Sequence, residues 1–168
     1  EMAKAKVRRS NTTIAALMVQ LGDADALVSG LVGRFDSHLE NVRDVLGLSP
    51  GAQVMAAMNA LMLDKHTLFI ADTFVNDDPS AEQLADIAAM AVDEVRRFGL
   101  PPKVAFLSHS SFGSAPCASA TKMSRAREIL AALAPDLEAD GEMKADEALS
   151  EDIRTRAHPD CRLTGPAN

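Results

Sequence analysis

The sequence predicts an α/β fold in which a mostly parallel sheet is flanked by layers of helices. Apolar runs of strand length alternate with amphipathic runs of helix length. The apolar run Lys103 to Leu107 leads through a polar, glycine-containing loop into a helical stretch from Ser119 to Leu133. With 168 residues and 47% apolar content, the chain can build one sizeable core. The length alone favours one domain.

The elements follow from the spacing of apolar residues, N-cap residues and glycine or proline stops. In the first third we predict a helix from Asn11 or Thr12 to Gly22, a strand from Ala24 to Ser29, a turn flanked by Gly30 and Gly33, and a helix from Asp36 to Leu46. In the rest of the chain we predict two strands, Val54 to Leu63 and Thr67 to Asp72, joined by the turn Asp64-Lys65-His66. A helix from Pro79 to Phe98 follows, and then the strand Lys103 to Leu107 and the helix Ser119 to Leu133. The last predicted elements are a strand from Leu137 to Met143 and a helix from Ala145 to Ala157. The spacing of Met55, Met58 and Met62 also fits a helix.

The loop after the Lys103 to Leu107 strand is the main candidate ligand site. In open parallel sheets such loops line the ligand crevice, and the next helix N-terminus attracts anions. Its candidate ligand-binding residues are Ser108, His109, Ser110, Ser111, Gly113 and Ser114. A polar connector without a ligand is the alternative. No Gly-x-Ser-x-Gly elbow surrounds His109, so hydrogen bonding by the serines is favoured over nucleophilic catalysis.

A second group of candidate residues follows the first predicted strand. It comprises Ser29, Gly30, Gly33 and Arg34, with Arg34 as the preferred cation for a phosphate-bearing ligand and a solvated arginine as the alternative. Arg8 and Arg9 are further cations. Asp72, Asp77 and Asp78 fit either a divalent cation or, as favoured here, a turn ahead of Pro79. We predict His38, His66 and His158 to be surface side chains.

The composition narrows the partners and the compartment. A formal charge of −7 argues against nucleic acid and anionic membranes, which need clustered Lys and Arg. No apolar run is long enough to span a membrane, and no signal-peptide pattern is present. Cys117 and Cys161 lack metal-type spacing and are expected to be reduced thiols. We therefore expect a cytoplasmic protein.

Several segments in order carry a family resemblance. They are Arg8 to Thr12, Met18-Val19, Gly22 to Gly30, Asp72 to Asn76, Arg97-Phe98-Gly99, Leu107 to Ser114, Asp140 to Met143 and Gly165 to Asn168. Together they resemble the phosphate acetyl/butyryltransferase family, and more closely the C-terminal transferase-like domain of bacterial NAD(P)-dependent malic enzymes. The resemblance covers nearly the whole chain.

Two departures from active acyltransferases favour the malic-enzyme branch. Where those enzymes carry Thr-Ala-Asp-Thr-x-Arg-Pro, this chain has Phe35 to Asn41, with Glu40 in place of the arginine. A carboxylate there would repel a phosphoryl oxyanion. The loop Leu107 to Ser114 also differs from the Leu-Ser-Tyr-Ser pattern of free-standing transferases.

The resemblance implies an isocitrate/isopropylmalate dehydrogenase-like fold and a regulatory, non-catalytic domain that senses acetyl-CoA or a related acyl-CoA. We expect residues 1–168 to lack N- and C-terminal parts of the family domain and to form homo-oligomers. No cofactor or metal is expected in this segment, whereas NAD(P) and Mg or Mn are implied for the parent enzyme, which converts malate to pyruvate. An active phosphate acetyl/butyryltransferase and a purely structural oligomerisation domain are the alternatives.

Overall fold

The computed structural model of the chain describes residues 2–64 and 66–168, which divide into a first unit up to Ala52 and a second unit from Gln53 onward. The first unit contains helices α1 (Met2–Arg9), α2 (Asn11–Leu21) and α3 (Phe35–Leu46). The second contains β1 (Met58–Met62), β2 (Thr67–Ala71), α4 (Ala81–Arg97), β3 (Lys103–Leu107), α5 (Ala118–Leu133), β4 (Glu138–Met143), α6 (Ala145–Leu149) and α7 (Glu151–Ala157). Within these described residues, none of the helices combines the length and apolarity needed to cross a bilayer.

In the first unit, α2 and α3 confirm two predicted helices, but the capping residue differs. Ser10, rather than Asn11 or Thr12, caps α2, because its Oγ accepts the Thr13 N–H at 3.1 Å. Gly22 ends α2 in the left-handed conformation (φ 79°), as predicted. Asn41 of α3 donates its side-chain N–H to Ser10 Oγ at 3.2 Å, which joins α3 to the start of α2.

The predicted strand from Ala24 to Ser29 is wrong. Residues 24–30 form no strand, and Val28 is fully exposed. A strand is stable only when a neighbouring strand satisfies its backbone groups, and the described part of the first unit contains no other strand. The segment 22–34 is therefore an irregular loop between α2 and α3.

The second unit is organised around β3, α5 and β4. β3 and β4 pair in parallel from Lys103↔Glu138 to Leu107↔Met143, and α5 connects them. The core between this pair and helices α4 and α5 consists of Ala85, Val92, Phe106, Ala126, Leu130, Leu137 and Ala139. The predicted β3 and α5 are confirmed, and so is an α/β fold with a small parallel sheet.

The expectation of one mostly parallel sheet needs correction for the described residues. β1 and β2 form a separate antiparallel hairpin, in which Met58 pairs with Ala71 and Met62 with Thr67. Met58 and Met62 therefore belong to a short strand rather than to a helix, and the strand predicted from Val54 begins only at Met58, after Met55. Lys65 of the predicted turn lies outside the described residues.

The predicted helix Ala145 to Ala157 is broken in two at Ser150. The Ser150 hydroxyl accepts the Ile153 N–H at 3.4 Å and so caps α7 instead of continuing α6. From α7, the fully buried Arg154 donates to the carbonyls of Glu147 (2.7 Å) and Gly165 (2.7 Å). This guanidinium ties the last residues of the chain to α6.

Candidate functional site

Two buried glutamates anchor the loop between β3 and α5 by accepting hydrogen bonds from its serines. Ser110 Oγ donates to Glu142 Oε1 at 2.9 Å, and Ser111 Oγ donates to a carboxylate oxygen of Glu147. Both serines are buried, with Ser110 fully inaccessible. Two of the six predicted ligand-binding residues in this loop therefore anchor it. His109, Gly113 and Ser114 are exposed, and Ser108 is half-buried.

Glu142 organises the centre of the loop. Its Oε1 also accepts the Gly113 N–H at 2.7 Å, and its backbone carbonyl accepts the Phe112 N–H at 2.8 Å. Burial raises the pKa of Glu142, but hydrogen bonds from Gly113, its own backbone and Ser110 outweigh burial, so the pKa lies below the ordinary glutamate value. The ionised carboxylate thus takes the Gly113 amide, and the backbone carbonyl takes the Phe112 amide, so neither is available to an anionic ligand.

The N-terminus of α5 is occupied by the side chain of Cys117. Its Sγ accepts the Ala120 N–H at 3.5 Å and lies 3.1 Å from Ser119 Oγ and 3.7 Å from His109 Nε2. The hydrogen bonds from Ser119 and Ala120 lower the pKa of this exposed thiol. The sequence predicts Cys117 only as a reduced thiol, although its position directly before α5 indicates this polarised environment.

Two clefts open beside the loop, and Arg127 of α5 lines both. The first, about 330 Å³, lies between loop residues 112–116, α5 and Glu142, and the second, about 390 Å³, also contains Asp140 and Arg162. Arg127 Nε donates to the Gly141 carbonyl at 3.4 Å and lies 3.9 Å from Asp140 Oδ1. Arg127 is a half-buried cation at this site that sequence reasoning missed, since nothing in its helical spacing distinguishes it from other α5 residues.

In the first unit, the predicted residues Ser29, Gly30, Gly33 and Arg34 belong to the irregular loop and the start of α3. Arg34 is the N-cap residue of α3, and its exposed guanidinium lies 3.1 Å from Asp36 Oδ2. Gly33 has φ 114°, and a Cβ at this position would lie 2.9 Å from His38 Nε2. The loop therefore requires glycine where it passes His38.

His38 is not the surface side chain that the sequence predicted. It is half-buried, and its Nδ1 lies 2.7 Å from Thr12 Oγ1 and 3.2 Å from Ser29 Oγ. His158 also differs from the prediction, because its ring lies against Phe112 with centroids 4.2 Å apart and planes tilted by 38°, and its Nε2 lies 4.0 Å from Glu147 Oε1. His66 is exposed as predicted. Burial beneath loops, which sequence spacing does not show, accounts for both differences.

Asp72 adopts the turn arrangement rather than the geometry of a metal ligand. Its carboxylate accepts the backbone N–H groups of Ala57 (2.9 Å) and Asn76 (2.8 Å), while Asp78 pairs with Lys122. Burial raises the pKa of Asp72, but these hydrogen bonds lower it by more, so the pKa lies below the ordinary aspartate value. Among residues 2–64 and 66–168, no group of three or more His, Cys, Asp or Glu side chains could hold a metal ion.

Comparison with known proteins gives this fold its family. Residues 1–168 match the family described as Phosphate acetyl/butaryl transferase. The chain is 49% identical over 168 residues to an NADP-dependent malic enzyme of Escherichia coli (strain K12). The matched region covers 100% of this chain and 22% of that protein. A phosphate acetyltransferase of Paracoccus denitrificans is 38% identical over 162 residues, 92% of this chain and 51% of that protein.

A solved structure agrees with these matches. A phosphotransacetylase from Streptococcus pyogenes superposes with a TM-score of 0.88 at 29% sequence identity, over 97% of this chain and 50% of that one. The chain spans only about a fifth of the malic enzyme's length. Because the match extends over every residue of the sequence, the chain belongs to the phosphate acetyl/butyryltransferase family.

Proposed function

We propose that this chain is the non-catalytic regulatory and assembly domain of a malic enzyme, and that it senses acetyl-CoA or a related acyl-CoA. The parent enzyme would be a cytoplasmic homo-oligomer that oxidatively decarboxylates malate to pyruvate with NAD(P) and Mg or Mn. The identity to malic enzymes along the whole chain supports this parent. We also propose that the domain has the isocitrate/isopropylmalate dehydrogenase-like architecture.

Glu40 is the observation that carries the non-catalytic assignment. It stands on α3 where the resemblance places an arginine in active acyltransferases, and its side chain is exposed. Transfer to phosphate develops anionic charge that needs cationic or N–H donors, and a carboxylate in that place opposes it. The next residue of α3, Asn41, donates to Ser10 at the start of α2 and so helps to hold the unit together.

The environment of the β3–α5 loop argues against acyl transfer at this loop. Glu142 accepts the Gly113 amide, and Cys117 accepts the Ala120 amide. Amides already engaged in this way are poor oxyanion donors. An acyl-CoA would instead contact Arg127 in the cleft beside this loop. In the first unit, the exposed Arg34 is a separate candidate for binding a phosphate.

Regulation follows if the ligand binds two assembly states with different affinity, because it then shifts the population of the state with the higher malate oxidation rate. The deciding experiment is a calorimetric titration of acetyl-CoA into the full-length polypeptide, with malate oxidation measured on the same sample. Saturable binding with a changed rate, and no acyl phosphate formed from added phosphate, supports the proposal. No binding together with a rate insensitive to every acyl-CoA would overturn it.

The active transferase is the second candidate, and the structural similarity to a phosphotransacetylase favours it. It requires other cations, such as Arg127, to replace the arginine whose place Glu40 takes. Formation of acyl phosphate by the full-length protein, lost on Arg127→Ala and retained on Arg125→Ala, would establish it. Arg125 is an exposed arginine on the same helix and pairs with Glu128 at 2.9 Å, so it is the matched control.

A further inference from the structure

Three polar side chains of the first unit meet at one point. Thr12 Oγ1 on α2 lies 2.7 Å from both Ser29 Oγ and His38 Nδ1, and Ser29 Oγ lies 3.2 Å from the same His38 nitrogen. A hydroxyl within hydrogen-bond reach of an imidazole nitrogen is the arrangement of an activated nucleophile and its base. The arrangement is complete only if a further group orients the imidazole.

The Val32 carbonyl provides that orientation. His38 Nε2 lies 2.9 Å from the Val32 oxygen. Because a carbonyl oxygen only accepts hydrogen bonds, the neutral imidazole carries its proton on Nε2 and its lone pair on Nδ1. The basic nitrogen therefore faces the two hydroxyls.

Only one of the two hydroxyls is open to a reactant. Thr12 is 4% exposed, whereas Ser29 is exposed in the loop. Gly30 follows Ser29, and a Cβ placed on Gly30 would meet no atom within 4 Å. Because Ser29 itself is exposed, its hydroxyl is the accessible one, and the buried Thr12 can only pass a proton between Ser29 and His38.

We propose that Ser29 is a nucleophile that accepts an acyl group from an acyl thioester, with His38 as general base and Thr12 as a proton relay. Ser29 Oγ bonds to the thioester carbonyl carbon while its proton passes to His38 Nδ1, directly or through Thr12. The carbon–sulfur bond then breaks, and the leaving thiolate takes the proton from Nδ1. The products are an ester on Ser29 and a free thiol. The nucleophile rests on this geometry alone, and the choice of acyl-CoA as donor rests on the proposed function.

The test treats the full-length polypeptide separately with p-nitrophenyl acetate and with acetyl-CoA, and locates the acetyl group by peptide mass spectrometry. We expect acetylation of Ser29 by both donors and its loss in Ser29→Ala. His38→Gln should slow the reaction about 100-fold or more, since positioned acid–base groups contribute at least that factor. Thr12→Val should slow it less, and Thr12→Ser should keep the wild-type rate. Ser49→Ala and His66→Gln, at exposed positions, are the matched controls.

The outcomes separate the nucleophile from the proposed ligand. No acetyl group on Ser29 from either donor, or acetylation of His38→Gln at the wild-type rate, would overturn the nucleophile. Acetylation by p-nitrophenyl acetate alone would retain the nucleophile and overturn the thioester donor. Calorimetric binding of acetyl-CoA is measured independently of acetylation. Absence of binding would therefore count against the proposed function, whereas absence of Ser29 acetylation would count against the nucleophile. Circular dichroism of each variant shows whether a lost reaction reflects lost folding.

Discussion

The loop 108–117 of the second unit and the loop 22–34 of the first differ in what holds them. Both contain glycines and lead into a helix. The first closes over the buried carboxylates Glu142 and Glu147, whereas the second closes on the half-buried imidazole of His38 and leaves Val28 and Leu31 almost fully exposed. Hydrogen bonds to buried carboxylates are stronger than those between neutral groups. Loop 108–117 is therefore a fixed support, and loop 22–34 is the adaptable one.

The largest effect is expected from removing the support of loop 108–117. Glu142→Ala would leave the buried Ser110 hydroxyl and the Gly113 N–H without their acceptor. We expect a loss of about 3 kcal/mol in the free energy of unfolding, because two hydrogen bonds to a buried charge are lost. Denaturant unfolding, monitored by circular dichroism at neutral pH, measures it. Glu40→Ala, at an exposed position, should change it by less than about 0.5 kcal/mol; equal losses in both variants would contradict a special role for Glu142.

Lowering the pH should weaken the same hydrogen bonds to Glu142, with a smaller effect than the Glu142→Ala substitution. The pKa of Glu142 is lowered in the folded protein from an ordinary value of 4.5, so its contribution is complete above that value and is lost as the pH falls through the folded pKa. We expect the free energy of unfolding to fall below about pH 5, and to fall less steeply in Glu142→Gln. Unfolding curves at successive pH values test this. Parallel pH profiles for the wild type and Glu142→Gln would show that this carboxylate is not stabilised by folding.

The same contrast explains how much the sequence could predict. α2 and α3 were predictable because each carries an apolar helical period and a glycine stop, β3 because it is a short apolar run, and α5 because it has the helical period. The polar loop after β3 was predictable from its composition. The carboxylates under that loop come from residues 142 and 147, more than 25 positions away, and local spacing does not reveal such partners. His38 and Arg127 were missed for the same reason, since their roles depend on tertiary neighbours. The strand expected at residues 24–29 had local propensity but no pairing partner among the described residues of its unit.

In the adaptable loop, Gly33→Ala is expected to have a moderate effect. Gly33 has φ 114°, and the new Cβ would lie 2.9 Å from His38 Nε2, so the variant adds backbone strain and displaces the imidazole. We expect a loss of roughly 1–2 kcal/mol in the local stability of the first unit, measured as faster hydrogen exchange of residues 29–38. Gly51→Ala is the matched control, because Gly51 has φ 88° with no atom within 4 Å of its Cβ position. Gly51→Ala should leave the exchange of residues 29–38 unchanged, and unchanged exchange of this segment in Gly33→Ala would contradict the prediction.

The smallest effect on stability, and the sharpest one on binding, is expected at Arg34. Its ion pair with Asp36 is exposed on both sides, so Arg34→Ala should change the free energy of unfolding by less than about 0.5 kcal/mol. If loop 22–34 adapts to an acyl-CoA, however, the same variant removes a cation from the phosphates, and affinity for acetyl-CoA should fall about tenfold and become less dependent on salt. Calorimetry at two salt concentrations measures both quantities. Arg43→Ala, an exposed arginine of the same helix, is the control. Unchanged affinity in Arg34→Ala would remove this loop from the ligand site, whereas a selective loss would show that the less firmly held loop is the one that binds.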